Sequence, residues 1–236
     1  MHLETTREKV QANLIRVKER IERSLELAGR DGERVLLVGV TKYVGPEVAR
    51  WLFEAGCKNL GESRPQSLWE KASALQDLPV CWHLIGHLQR NKIKKTLPIV
   101  QTIHSIDSER LLEQILLDSR GIEMEVNCLL ELNITQDSSK TGMSFEQALK
   151  VAESWKLHSD DVRRKVRLVG LMGMSSLGVS ESQIHAEFER LRIYRDKMES
   201  VMGIALPELS MGMSEDFPIA IEHGATMVRL GSVLFE

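Results

Sequence analysis

VLLVGVTK, residues 35–42, is a run of seven apolar, glycine or threonine residues followed by one lysine. A short apolar run that ends at a charged residue is typical of a buried strand, although periodicity alone leaves a buried helix open. The length of the run and its valines favour the strand. Because side chains alternate across a strand, Lys42 falls on the same face as Val40, Val38 and Leu36.

A lysine at the carboxyl end of a buried strand has two interpretations. Either it marks the point at which the strand meets water, or its amine reaches the mouth of a pocket. Buried lysine is rare and needs a partner, so the strand by itself favours the first interpretation. The rest of the chain has to decide between the two.

The composition is that of an ordinary globular protein, with 42% hydrophobic and 28% charged residues in a chain of 236. The formal net charge of −3 gives no reason to expect a nucleic-acid or membrane partner. Cys57, Cys81 and Cys128 lie far apart in apolar surroundings, which favours reduced thiols and a cytoplasmic protein. The segment MHLETTREKV is charged and does not resemble a signal peptide, and no apolar run approaches the length of a membrane span.

Short apolar segments alternate with amphipathic segments along the whole chain. The predicted strands are 35–42, 57–61, 80–86, 100–106, 127–134, 166–170, 206–211 and 226–230. The predicted helices are 4–29, 46–54, 65–76, 89–97, 108–119, 144–157, one that starts after Ser180 and one that starts after Ser214. The first helix rests on an apolar stripe of Val10, Leu14, Val17, Ile21 and Leu25. Capping boxes are predicted at Ser144–Gln147 and Ser180–Gln183.

Strict alternation of strands and helices predicts a parallel sheet. Eight such units in a chain of this length indicate a closed (β/α)8 barrel of the TIM type, preceded by an extra N-terminal helix. A doubly wound open sheet is the alternative. No stretch rich in proline or serine separates two halves, so we expect one domain over residues 1–236.

Functional residues of such a barrel lie at the carboxyl ends of its strands, where Ser63 and Asn133 also fall. Phosphate sites are frequent in the loops after the seventh and eighth strands, which here carry SMGMSED from Ser210 and RLGSV from Arg229. Ser210, Gly212 and the amides of 231–232 therefore become candidates for binding phosphate. The alternative is that these glycines and serines only form tight turns and helix caps.

Three features limit the possible chemistry of the site. They are a lysine after the first strand, candidate phosphate-binding loops and a lack of metal ligands. The lysine can form a Schiff base with a carbonyl compound that also carries a phosphate, and pyridoxal phosphate (PLP) is such a compound. Arg229 would then lie on the face of its strand that points into the barrel, where it can donate a hydrogen bond to the pyridine nitrogen.

Several segments of the chain together resemble the pyridoxal phosphate homeostasis protein family, whose barrel is similar to the N-terminal barrel of alanine racemase. The segments are VGVTK at 38–42, GE at 61–62, WHLIGHLQRNK at 82–92, HSIDS at 104–108, LELNI with SKTG at 130–142, GLMGMSS at 170–176 and LSMGMSEDFPIAIEHGATMVRLGSVLFE at 209–236. The resemblance implies that Lys42 carries PLP covalently and that Arg229 faces the ring nitrogen. It also implies that Ser210, Met211, Gly231 and Ser232 hold the phosphate or its surroundings. The family usually has asparagine where this chain has Ser63, which puts one amide contact in doubt.

Other polar residues have less specific patterns. His83 and His87 have a helical metal-ligand spacing, but they span a predicted strand end, so we do not expect a metal site. The basic run at 90–95 is interpreted as a solvated helix face. Lys140 either tunes cofactor release or is a solvated loop lysine. Glu62 and His104 have two interpretations. Either they orient water or the ring substituents of the cofactor, or they hold other residues of the site in place.

Racemisation needs a base on each face of the substrate, and Tyr43 and Tyr194 are the only tyrosines. Tyr43 should point away from Lys42 if the strand continues past it. Arg229 cannot accept a proton, which leaves a ring beside it neutral and a poor electron sink. We therefore expect a monomeric PLP carrier that supplies PLP-dependent apoenzymes without turnover. A racemase or other Schiff-base enzyme is the alternative, and a Schiff-base aldolase acting on a phosphosugar is a weaker one.

Overall fold

A computed structural model describes residues 5–121, 123, 125–135, 137 and 140–236. Within these residues the chain forms a closed barrel of eight parallel strands, which pair in sequence order and close through β1 and β8. This confirms the predicted (β/α)8 barrel with its N-terminal helix and excludes the open doubly wound sheet. The barrel brings all the strand ends that were predicted to carry function to one end of the molecule.

The strands of the barrel are short and largely apolar. They are β1 (Leu36–Val40), β2 (Asn59–Glu62), β3 (Cys81–Leu84), β4 (Val100–Ile106), β5 (Val126–Glu131), β6 (Val166–Met172), β7 (Glu208–Ser210) and β8 (Met227–Leu230). Every predicted strand overlaps an observed one, and the differences are confined to the strand ends. Ends are the least certain part of a pattern-based prediction, because hydrophobic alternation does not say where ladder pairing stops.

Helices cover the outside of the barrel. They are α1 (Arg7–Leu27), α2 (Pro46–Glu54), α3 (Pro65–Ala74), α4 (Ile93–Thr96), α5 (Glu109–Asp118), α6 (Phe145–Lys156), α7 (Asp160–Lys165), α8 (Glu181–Met202), α9 (Phe217–Glu222) and α10 (Ser232–Phe235). The sequence did not predict α7 and α10, because helices this short have no apolar stripe to recognise. Across the described residues, every helix is too short or too polar to cross a membrane.

Helix α1 confirms the predicted apolar stripe. Its Val10, Leu14 and Val17 are buried, and the helix packs against α2, α9 and α10. The hydroxyl of Thr6 accepts a hydrogen bond from the N–H of Lys9 and caps the first turn. Residue 4, where the helix was predicted to begin, lies outside the described residues.

One of the two predicted capping boxes is complete. Ser144 and Gln147 exchange the two reciprocal hydrogen bonds at the start of α6. At the start of α8, Ser180 accepts from the N–H of Gln183, but the side-chain amide of Gln183 donates to Glu187 instead. The second box was therefore half right, because a buried carboxylate competes for the glutamine.

Strand β1 ends at Val40, so the prediction that it runs to Lys42 is wrong. Residues 41–44 form a turn that is closed by a hydrogen bond of 3.0 Å from the N–H of Val44 to the carbonyl of Thr41. Because the main chain turns there, Lys42 leaves the sheet and its side chain is exposed rather than buried.

Gly39 sets which face of β1 points into the barrel. A Cβ atom at this position would lie 2.6 Å from Leu52 of α2 and 3.1 Å from the sulfur of Cys57. Gly39 therefore faces the helix layer, and its buried neighbours Val38 and Val40 face the barrel interior.

Gly170 gives a test of the barrel itself. A Cβ atom there would lie 1.9 Å from the carbonyl oxygen of Glu208 on the neighbouring strand. Because a backbone oxygen cannot yield without separating β6 from β7, we expect Gly170→Ala to lower the free energy of unfolding by at least about 2 kcal/mol. Urea unfolding measures the loss. Gly45→Ala is the control, since nothing lies within 4 Å of an added Cβ atom there, and an equal loss in both variants would contradict the expectation.

Candidate functional site

The carboxyl ends of the strands form the mouth of the barrel, where the predicted site residues collect. Lys42 follows β1, Ser63 follows β2, Asn133 follows β5, Ser210 ends β7 and precedes Met211 and Gly212, and Arg229 lies in β8 before Gly231 and Ser232. Parallel strands deliver all of these residues to the same end of the barrel. What each of them binds stays a prediction.

Lys42 lies on the turn that follows β1. Its ammonium nitrogen is 4.9 Å from the ring centroid of Tyr43, which is 89% exposed. An ammonium group over an aromatic face is attracted by the ring quadrupole. Tyr43 was expected to point away from Lys42, and it lies beside the amine because the strand does not continue. The amine is open to solvent and therefore accessible to an incoming ligand.

Arg229 lies inside the barrel with 5% of its surface exposed. Its Nη1 donates to the carbonyl and hydroxyl oxygens of Ser210, at 2.7 and 2.8 Å, and its Nη2 donates to the carbonyl of Gly173 at 3.1 Å. Burial lowers the pKa of the guanidinium to about 10, against the opposing charges of Asp216 and Glu131, so it stays protonated at neutral pH. Two of its five N–H groups remain without an acceptor among the described residues.

A row of hydrogen bonds crosses the barrel interior from Arg229. Nδ1 of His104 lies 2.8 Å from the hydroxyl of Ser210, and Nε2 of His104 lies 2.9 Å from Nδ1 of His83. Nε2 of His83 lies 3.1 Å from the side-chain oxygen of Asn59. We refer to these five residues as the interior relay.

One hydrogen-bond arrangement satisfies every member of the interior relay with both histidines neutral. Arg229 can only donate, so the hydroxyl of Ser210 accepts from it and donates its own hydrogen bond to Nδ1 of His104. In that arrangement Nε2–H of His104 donates to His83, and Nε2–H of His83 donates to Asn59. Burial favours the neutral rings, because it lowers the pKa of His83 to about 4 and that of His104 well below 6.5. Protonation of both rings together would set two N–H groups against each other.

The loops after β7 and β8 present backbone N–H groups at the mouth. Gly212 has a φ angle of +93°, which favours glycine, and its N–H finds no acceptor among the described residues. The N–H groups of Ser232 and Val233 also have no acceptor among the residues that the structure describes. Ser214 accepts a hydrogen bond of 3.3 Å from the N–H of Gly231 and so joins the two loops. These donors suit an anion with several oxygens.

The prediction that a helix starts directly after Ser214 was two residues early, because α9 begins at Phe217 and Asp216 precedes its first turn. The buried carboxylate of Asp216 accepts from the N–H of Met213 at 2.6 Å and from the hydroxyl of Ser175. It therefore ties the loop after β6 to the loop after β7. Asp216 and Ser175 were missed from the sequence, because only the closed barrel brings their loops together.

Asn133 uses its whole side-chain amide within its own loop. Its oxygen accepts from the N–H and the hydroxyl of Thr135, at 3.0 and 2.8 Å, and its nitrogen donates to the carbonyl of Asp137 at 2.8 Å. Lys140, which belongs to the same loop, donates its backbone N–H to that carbonyl. Residues 136, 138 and 139 of the loop lie outside the described residues. The predicted contact of Asn133 with a cofactor stays a prediction.

The main chain of Ser63 packs closely against Gly86, which follows β3. A Cβ atom on Gly86 would lie 2.3 Å from the carbonyl oxygen of Ser63, so only glycine fits at 86. The side chain of Ser63 is partly exposed, and its hydroxyl has no hydrogen-bond partner within the described ranges. A contact with a ligand at the mouth is compatible with this position and stays a prediction.

His83 and His87 do not share a site, despite their helical spacing. His83 is buried in the barrel interior, whereas His87 is exposed and lies 2.9 Å from the carboxylate of Asp107. Lys95, in the basic run, lies 4.2 Å from the ring of Trp69 and Lys94 is largely exposed, as expected for a solvated helix face.

The model of the N-terminal domain family of alanine racemase matches residues 13–236, which include every strand of the barrel. This places the chain among the alanine racemase-like barrels. Proteins named pyridoxal phosphate homeostasis protein in Aquifex aeolicus and Pseudomonas aeruginosa are 38% and 33% identical to it, each over 94% of this chain and over 95% and 93% of the relative. The chain belongs to the pyridoxal phosphate homeostasis protein family, which confirms the resemblance seen in the sequence.

Solved structures agree with this assignment. The structure of PipY from Synechococcus elongatus PCC7942, with PLP bound, matches with a TM-score of 0.84 and 28% identity, over 96% of this chain and 100% of the PipY chain. Alanine racemase of Clostridium difficile 630 matches with a TM-score of 0.75 and 15% identity, over 96% of this chain and 56% of the racemase chain. The second likeness is one of fold alone.

Proposed function

We propose that this protein binds pyridoxal 5′-phosphate as a Schiff base of Lys42 and contributes to PLP homeostasis in the cytoplasm, without turnover of a substrate. It would act as a monomer of one domain and supply the cofactor to PLP-dependent apoenzymes. The observation that carries the proposal is the composition of the barrel mouth, where an accessible amine, a buried guanidinium with spare N–H groups and the loops after β7 and β8 occur together.

The donors at the mouth fit each part of the cofactor. When bound, PLP supplies an aldehyde, which condenses with a primary amine and releases water. The exposed amine of Lys42 is the group for that bond. The unpaired N–H groups of Gly212, Ser232 and Val233 suit the phosphate oxygens. The two spare N–H groups of Arg229 suit an acceptor such as the ring nitrogen.

Arg229 favours a carrier over an enzyme. It donates hydrogen bonds and keeps its own proton, because even after burial its pKa is about 10. A ring nitrogen that accepts from such a group stays unprotonated, and a neutral pyridine ring is a poor electron sink. The hydrogen bonds of Arg229 to the carbonyl oxygens of Ser210 and Gly173 hold its guanidinium in place.

The groups near Lys42 also favour a carrier. Racemisation requires proton transfer on both faces of the substrate. Tyr43 follows Lys42 on the same turn, its ring centroid is 4.9 Å from the amine of Lys42, and its side chain is 89% exposed. Tyr194, the other tyrosine, is on α8 and stacks on Phe145 of α6 at 4.9 Å between ring centroids. Neither tyrosine supplies the opposite face.

The test is a visible spectrum of the purified protein with added PLP. We expect an absorption band that borohydride removes and a reduced adduct that peptide mapping assigns to Lys42. Incubation with either enantiomer of alanine and other amino acids should give no steady conversion. A protein that retains no such band after free PLP has been removed by gel filtration refutes the binding, and sustained racemisation refutes the carrier role.

A further inference from the structure

A buried polar cluster lies directly behind Lys42, between β1, β2 and α3. Its members are Thr41, Glu62 and Lys71, which are 0%, 0% and 5% exposed. The ammonium of Lys71 donates to the carboxylate of Glu62 and, at 2.6 Å, to the carbonyl of Thr41. The hydroxyl of Thr41 donates to the same carboxylate oxygen at 2.7 Å. We call these three residues the Thr41 cluster.

The Thr41 cluster fixes the turn on which Lys42 lies. The N–H of Thr41 donates to the carbonyl of Gly61 at 3.0 Å, which ties the start of the turn to β2. The carbonyl of Thr41 accepts from both Lys71 and the N–H of Val44, and the second bond closes the turn. All the polar groups of Thr41, the residue before Lys42, are thus engaged by the scaffold.

Stability alone does not explain the Thr41 cluster. Desolvating two charges costs several kcal/mol, and apolar replacements of a buried ion pair are often as stable as the pair. The second oxygen of Glu62 is buried and has no hydrogen-bond partner in the described residues, which adds to the cost. What distinguishes the cluster is that it holds the main chain at Thr41, directly before Lys42.

We propose that Lys71, together with Glu62 and Thr41, is a positioning residue that presents the amine of Lys42 to the mouth of the barrel. The inference rests on the proposed role of Lys42 in holding PLP. A fixed turn keeps the amine close to the site of the aldehyde, and proximity of this kind raises the rate of bond formation. Without the cluster, the turn would sample other conformations and the amine would spend less time in reach.

The first measurement uses the protein without added PLP. Glu62→Gln/Lys71→Met removes both charges together and leaves neither unpaired, whereas Thr41→Val removes only the hydroxyl. We expect hydrogen exchange of the Val44 amide to accelerate by about 10-fold in the double variant and less in Thr41→Val, because the turn opens locally. Thr41→Ser keeps the hydroxyl and should restore protection. Equal protection of Val44 in all variants would overturn the proposal.

The second measurement is the rate at which the absorption band forms with added PLP. We expect the double variant to react about 10-fold more slowly than the wild type at unchanged unfolding midpoint. Lys58→Met is the matched control, since Lys58 lies over Phe53 and outside the cluster. Wild-type rates in the double variant refute positioning, whereas a wild type that forms no band refutes the role of Lys42 itself. If the double variant does not fold, Thr41→Val and Thr41→Ser decide.

Discussion

Lys42→Ala is expected to abolish covalent retention of PLP. The variant keeps Arg229 and the N–H groups of Gly212 and Ser232, so it should still bind PLP reversibly. Without the amine no bond to the aldehyde forms. Borohydride treatment followed by mass spectrometry should therefore find no pyridoxyl peptide, and dialysis should remove the cofactor.

Two controls sharpen this experiment. Lys42→Arg retains a positive charge at the turn but has no primary amine, so it should behave as Lys42→Ala does. Lys94→Ala alters an exposed lysine on the basic helix face and should retain the adduct. A pyridoxyl group on another lysine of Lys42→Ala would contradict the prediction. It would show that PLP binds to the protein but that its aldehyde does not require the amine of Lys42.

The neutral histidines predict a loss of stability in weak acid. A base whose folded pKa lies below its unfolded value gives full stability above the unfolded pKa and loses it as the pH falls towards the folded pKa. For His83 this window runs from 6.5 down to about 4, and His104 shifts in the same direction. We expect the free energy of unfolding to fall by about 2–3 kcal/mol per pH unit between roughly pH 6 and pH 5, since each buried histidine contributes about 1.4 kcal/mol.

Urea unfolding at a series of pH values measures this slope above the range in which most carboxylates titrate. His83→Asn keeps an acceptor for His104 but removes one titrating ring, so its slope should be about half that of the wild type. His87→Asn changes an exposed histidine and should retain the wild-type slope. A stability that does not change between these pH values would mean that the relay accepts a proton.

The sequence predicted the barrel because strand and helix patterns are local. Each strand could be recognised from its own apolar run, and the alternation of eight such runs with helices led to the closed sheet. The candidate residues followed from the rule that function lies at strand ends. Lys42, Arg229 and the glycine-containing loops after β7 and β8 were selected in this way, and all of them lie towards the same end of the barrel. Their role in binding a cofactor stays a prediction.

Contacts between distant strands could not be predicted from the same patterns. His83, His104 and Ser210 belong to three different strands, and only closure of the barrel brings their side chains into one row. Lys71 lies in the polar helix segment PQSLWEKASA and looks like a surface residue. It is buried, and its amine donates to the carbonyl of Thr41, on the turn after β1, and to the carboxylate of Glu62 on β2. The exposed turn at Lys42 was missed for the same reason, since tertiary hydrogen bonds and not alternation end the strand.

The interior relay has a consequence for the distribution of charge along the barrel axis. With His83 and His104 neutral, Arg229 is the only one of its five members that is charged at neutral pH. Arg229 lies near the carboxyl end of β8, whereas Asn59 begins β2 at the opposite end of the barrel. The relay therefore contributes one positive charge near the mouth and none at the floor, and an anion is attracted to the mouth.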